Sequence, residues 1–390
     1  MTAEAHCYMP YPDVPVASGE GPLSDLSFAV KDIFDLAGYP TGCGNPHALA
    51  RSGIKTTTAP VVQTLLDKGA RFTGKVLTDE LAFSMAGKNA HFGTPRNGGA
   101  PDRICGGSSS GSASAVSNGL CDFALGTDTG GSVRAPASHC GLIGMRPTHG
   151  RISLEGCMPL APSFDTCGWF GRDIATFARV GEVLLGTDSV ALPASPRLML
   201  AADVMRHVTG ETRAASTAVL GQLEKAFGTG LESVDAVLLP ADELYWAFRH
   251  IQGLEAWRSQ GDFLRAHDVQ LGPGVKERFA WSCQLSAAQV APYQQVRVEF
   301  TRRFDALLGN DGVLVMPTMP GSAPLRASDE QALEDYRNQS IPMLCLAGLA
   351  GCPQISLPLM QIGGAPLGLS LIGPRGSDIS LITLARQLMA

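Results

Sequence analysis

Apolar and polar positions along this chain alternate between two periods, and the changes of period predict where strands give way to helices. Thr56-Thr57-Thr58-Ala59-Pro60 joins capping hydroxyls to an early proline, Val61, Val62, Leu65 and Leu66 form an apolar stripe, and Gly69 supplies a stop, which predicts a helix. Ala70 to Leu77 reads as a short strand and Thr78-Asp79-Glu80 as the opening of another helix. Residues 89–111 read as loop. Ser112 to Gly119 is rich in small residues suited to a helix lying close against a sheet, and Cys121 to Leu125 reads as a buried strand. Asp242 to Arg258 and Ala287 to Leu308 have helical texture, whereas Gly312 to Pro317, Gln354 to Pro358 and Gly368 to Ile372 are short apolar strands. This alternation predicts a layered α/β fold. Across 185–305 glycine thins and Tyr245, Trp246, Phe248, Trp257 and Tyr293 appear, which reads as a lid or substrate-channel region or as aromatics that pack the core.

Composition narrows the function classes. With 390 residues and 45% apolar side chains, the chain can build a substantial core. A net charge of −6 and no long basic run exclude a phosphate-backbone partner, so no nucleic acid is expected. Met1 to Pro15 lacks a positively charged start and an apolar stretch. The most apolar segment, Ile341 to Ile355, is broken by Pro342 and Pro353 and is too short to cross a bilayer, so no membrane is expected and the protein reads as cytoplasmic. Ten cysteines are scattered without a C-x-x-C pair, which reads as buried reduced thiols, and the eight histidines include no H-E-x-x-H, so no metal is expected.

The candidate chemistry lies in two clusters, Gly106-Gly107-Ser108-Ser109-Ser110-Gly111 and Gly126-Thr127-Asp128-Thr129-Gly130-Gly131-Ser132. Glycine lets backbone N–H groups converge and leaves room for a substrate, as a serine nucleophile and its oxyanion hole require. One helix and one strand can span the interval between the clusters and fold them together. A serine hydroxyl also needs a base. Lys31, after the apolar run Leu26 to Val30, qualifies if burial lowers its pKa from about 10.4 towards about 7 or 8, a shift of roughly 4 kcal/mol. Read singly, the first cluster is also compatible with a flexible linker, and Lys31 with a surface residue or an ion pair to Asp32 or Asp35. Gly107 to Gly111 fits G-x-S-x-G with Ser109 as nucleophile, but that elbow must follow a strand and Asn97 to Arg103 reads as loop. No G-x-x-x-x-G-K-[ST] loop occurs.

The run 106–147, through Gly126 to Ser132, Val133-Arg134-Ala135-Pro136 and Cys140-Gly141, resembles the amidase signature family, and the likeness extends from about Leu26 to Leu367–Gly373. The resemblance implies one α/β/α domain over 1–390 with a mixed central β-sheet covered by helices, and 185–305 as its variable helical substrate-channel region. It implies Lys31, Ser108 and Ser132 as catalytic triad, with a cis bond between Gly107 and Ser108. Ser132 would attack an amide while Ser108 and Lys31 carry its proton, and an acyl-enzyme would follow. Thr129, Gly130, Gly131 and Ser132 would offer oxyanion donors, and Ser109, Asp128 and Arg134 loop support or substrate contacts.

Val30 to Asp35, Asn89 to Asn97 and Ser163-Phe164-Asp165-Thr166 look most like plant amidases that hydrolyse indole-3-acetamide. The implied substrate is a small primary amide with an apolar acyl part, cleaved without a cofactor. A homodimer is compatible with the resemblance. Three other readings stay open: an amidotransferase A-type subunit, a non-catalytic amidase-like binding protein, and a hydrolase of small polar half-amides or ureido acids. The last would need a second basic residue in the pocket, for which Arg134, Arg249 and Arg258 are candidates.

Overall fold

A computed structural model describes residues 5–389. Ten strands among them form one mixed sheet: β1 Ser27–Lys31, β2 Arg71–Val76, β3 Phe123–Asp128, β4 Ile143–Arg146, β5 Thr166–Gly171, β6 Arg197–Ala201, β7 Leu231–Val234, β8 Gly312–Pro317, β9 Gln354–Ile362 and β10 Ala365–Ile372. Their order is β2-β1-β3-β5-β4-β9-β10-β8-β6-β7. Pairing is parallel at both ends, β2-β1-β3 and β8-β6-β7, and antiparallel through the middle. Helices cover both faces, so the molecule is one α/β domain.

Strand alternation explains how the layers separate. Phe28 and Val30 of β1, with Phe123 and Leu125 of β3, enter one apolar cluster, while Ala29 and Ala124 enter another with Ala113, Ala115 and Val116 of the helix Ser110–Ser117. That helix packs on β3 and β1, where small side chains let it approach closely. Phe28 and Phe123 stack across the neighbouring strands with centroids 5.4 Å apart.

Several boundaries differ from the pattern-based reading. The helix predicted from residue 78 is a single tight turn, Glu80–Ala82, because Leu81 and Ala82 have positive φ and the Asp79 carboxylate holds the Gly87 N–H, which bends the chain away. The strand predicted at Cys121 begins at Phe123 and runs through Asp128, ending inside the glycine cluster. Apolar Ile341 to Ala350 forms the second half of the buried helix Glu330–Ala350, and the chain ends in the helix Asp378–Met389. Within 185–305, β6 and β7 join the sheet, whereas Ala241–Ala266, Val275–Ser282 and Ala287–Leu308 pack together as helices.

Candidate active site

β1 and β3 are parallel neighbours, so Lys31 and Thr127-Asp128 emerge at the same carboxyl edge of the sheet. In α/β sheets this edge is where ligands bind. Lys31 is fully buried, and its Nζ donates to Ser108 Oγ and to Thr127 Oγ1, each at 2.8 Å. Burial pulls the amine down to about 8, against the opposing pull of Cys157, Asp79, Asp165 and Asp128.

The loop before the helix Ser110–Ser117 brings Ser108 to Lys31. The Gly107–Ser108 peptide bond is cis. Gly107 N–H donates to Met85 O at 2.9 Å, and Ser108 O accepts from Asp79 N–H at 2.9 Å and Thr78 Oγ1 at 3.1 Å. No side chain fits on residue 107, since a Cβ there would lie 2.2 Å from Asp79 Oδ2.

Ser109 faces backbone. Its Oγ donates to Thr127 O at 3.2 Å and accepts from Thr127 N–H at 3.3 Å, which ties the first cluster to the end of β3. A loop precedes it, so the strand–nucleophile–helix geometry of an elbow is absent here.

The second cluster turns sharply after β3. Asp128 accepts from the N–H groups of Gly131 at 2.9 Å and Val133 at 3.0 Å, and its carboxylate is clamped by Arg134 Nη2 at 2.7 Å and Nε at 3.0 Å. Burial raises the Asp128 carboxyl, but Arg134 and Arg146 outweigh it and hold the group well below the usual carboxylate range. Arg134 is fully buried, and its Nη1 donates to Leu344 O and Gln354 Oε1, so its guanidinium is spent inside the protein. Arg258 lies on the exposed side of its helix.

Gly130 and Gly131 pass so close to the helices Ala241–Ala266 and Glu330–Ala350 that a Cβ would meet Phe248 Cζ or Leu344 Cδ1 at 2.5 Å. Gly131 also has φ +118°, which disfavours any side chain. Its N–H serves Asp128, whereas no hydrogen bond among the described residues takes the N–H of Thr129, Gly130 or Ser132.

A cavity of about 650 Å³ lies between the loop 84–94 and the helices that carry Arg249, Arg278 and Arg337. Lys31, Ser108 and Ser132 do not line it. A narrow recess does reach Thr129, Gly130 and Ser132, and it shares Ser84, Met85 and Arg337 with the large cavity. Phe83, Leu160 and Phe248 give the recess apolar walls, with Gln252 beside them.

Thr127, Asp79 and Arg337 were not singled out as site residues from the sequence. Asp79 and Thr127 lie within the segments quoted above, but only the fold brings them to Lys31. No local pattern marks Arg337.

A mixed sheet with a buried amine, hydroxyls and a glycine-rich turn at its carboxyl edge defines a hydrolytic α/β enzyme. The Amidase family model matches residues 13–219 and 259–382, and the chain belongs to this family: it is an amide-hydrolysing enzyme. It is similar to Amidase 1 of Arabidopsis thaliana, 38% identical over 406 residues that cover 96% of each chain. A solved structure described as a crystal structure of amidase superimposes with TM-score 0.85 at 30% identity, covering 95% of this chain and 86% of that one.

The comparisons correct the expectation of a cytoplasmic protein. The chain is also 33% identical to Outer envelope protein 64, chloroplastic, of Arabidopsis thaliana, across 96% of this chain and 68% of that one, and 30% identical to a mitochondrial protein of the same name and organism. Relatives this near carry organellar envelope names, and the broken apolar segment Ile341 to Ile355 that suggested the cytoplasm does not discriminate against such a location. No helix among the described residues is long and apolar enough to cross a membrane.

Proposed function

We propose that Ser132 is the nucleophile and that Ser108 and Lys31 move its proton. The observation that carries this reading is the fully buried Lys31 amine, 2.8 Å from Ser108 Oγ, at the sheet edge from which the Ser132 turn departs. With Nζ unprotonated, that contact lets Ser108 pass its proton to Lys31 as it takes one from Ser132. Ser132 Oγ bonds to the amide carbon, and the carbonyl electrons move onto oxygen. The free N–H groups of Gly130 and Ser132, with that of Thr129, receive the oxyanion; Gly131 drops out of the expected donor set because its N–H is committed to Asp128. Ser108 then returns a proton to the leaving nitrogen, ammonia departs, and water hydrolyses the acyl-enzyme by the same relay. Asp128 and Arg134 hold the turn and do not touch substrate.

Phe83, Leu160 and Phe248 suit an acyl group with an apolar segment beside the carbonyl. The helices within 241–282 would form the channel to it. Labelling with a sulfonyl fluoride followed by peptide mass spectrometry tests the nucleophile. The adduct is expected on the peptide containing Ser132 and absent in Ser132→Ala; an adduct on Ser109 instead would refute the assignment.

A further inference from the structure

The relay uses none of the three arginines around the large cavity. Arg337, on the helix Glu330–Ala350, and Arg278, on Val275–Ser282, are each 8% exposed. They share a single carboxylate, Glu334, at 3.1 and 3.2 Å. Arg249 has no carboxylate within 4 Å among the described residues; it donates to Tyr245 Oη at 2.8 Å and lies over the Trp281 ring. Other acids on the cavity wall are engaged or exposed: Glu80 is held by Asn45, His91 and the Gly272 N–H, Glu277 caps Gly274, and Glu330 faces solvent. Lys88 adds a further cation, and burial keeps His139 neutral by pulling it down to about 3.

Three guanidinium groups therefore face one carboxylate. Burial, with repulsion from Arg278 and Arg249, drags Arg337 down to about 9. Its Nε is buried and has no hydrogen-bond partner. A buried donor without a partner is costly, and a planar guanidinium is shaped to grip a carboxylate. Arg337 lines both the cavity and the recess that reaches Ser132, so a molecule with its carbonyl at Ser132 would extend towards this group.

We propose that Arg337, backed by Arg278 and Arg249, binds a carboxylate at the far end of the acyl chain, and that the enzyme prefers half-amides of dicarboxylic acids to neutral amides. This rests on Ser132 as nucleophile and adds the substrate class. It also assigns the basic residue that a polar half-amide requires to Arg337, rather than to Arg134 or Arg258.

Calorimetric binding to Ser132→Ala separates the two readings. Malonamate, succinamate, glutaramate and adipamate are compared with the neutral amides butyramide and hexanamide. At least one of the four acids is expected to bind about 100-fold more tightly than the neutral amides, and Arg337→Met to abolish that advantage while neutral binding changes little. If Arg337→Met fails to fold, Arg337→Lys, which keeps the charge but not the fork, should lose about tenfold for the acid alone. Equal binding of acids and neutral amides, or equal loss of both in the Arg337 variants, overturns the proposal. Turnover by Ser132→Ala would instead overturn the nucleophile and leave the anion site standing.

Discussion

The proposed relay needs Lys31 as a base, and burial brings its amine down to about 8. Only the unprotonated amine accepts a proton, so kcat/KM should rise with pH through about 8 and level off above it, as a pH–rate profile would show. A flat profile between pH 6 and 10 would remove Lys31 from the relay. Lys31→Ala should cost about 10²–10⁴-fold in kcat. Thr127 sharpens the test. Its hydroxyl accepts from Nζ and so favours the charged form; Thr127→Val should move the midpoint of the profile to lower pH. Lys31 was legible in the sequence as a lysine ending an apolar run, but its partner Thr127 was not, because a threonine inside a strand carries no local mark of what it will face.

At the scale of elements, the turn after β3 is held by one carboxylate and two buried guanidiniums. Asp128→Ala would strand Arg134 and Arg146 without a counter-charge, and should cost about 3–5 kcal/mol in urea unfolding. Gly131→Ala should cut kcat sharply with the far-UV circular dichroism unchanged, since a methyl there meets Leu344 and the φ of +118° is unfavourable for alanine. Wild-type kcat in that variant would show that the turn does not shape the oxyanion site. The helix Pro60–Asp67 was readable from its early proline and apolar stripe, although its N-cap is Ala59 and no side chain caps it, Ala287–Leu308 was readable from its helical texture, and β8, β9 and β10 were readable as short apolar runs. The strands β4 and β5 were not, because Ile143-Gly144-Met145-Arg146 and Thr166-Cys167-Gly168-Trp169-Phe170-Gly171 are broken by glycine and polar residues and show neither alternation nor the continuous apolar run that marks β8.

For the whole molecule, the dense interior sets the response to alkali. Burial pushes Cys7, Cys43, Cys167, Cys345 and Cys352 up to about 12, from an ordinary thiol value of 9. Once the chain unfolds these thiols ionise above about 9, while in the native state they stay protonated. The unfolded state therefore binds fewer protons between about pH 9 and about 12, and stability should be full below 9 and fall across that window, measurable as a declining melting temperature. Cys283 is the exposed thiol among the described cysteines, so a thiol reagent should modify it first and reach the buried thiols after denaturation.

Local sequence determined the small-residue helix, the glycine-rich turns, the terminal strands and the presence of a lysine and serines fit for amide hydrolysis, because sterics and short-range hydrogen bonding act over a few residues. Tertiary structure alone decided that Lys31 meets Ser108 and Thr127, that Arg146 reaches Asp128, and that Arg278 joins Arg337 on one carboxylate beside the cavity. Those contacts join residues far apart along the chain. Which distant groups meet, and how much water they lose, is set by how the layers close, and no window of neighbouring residues contains that information.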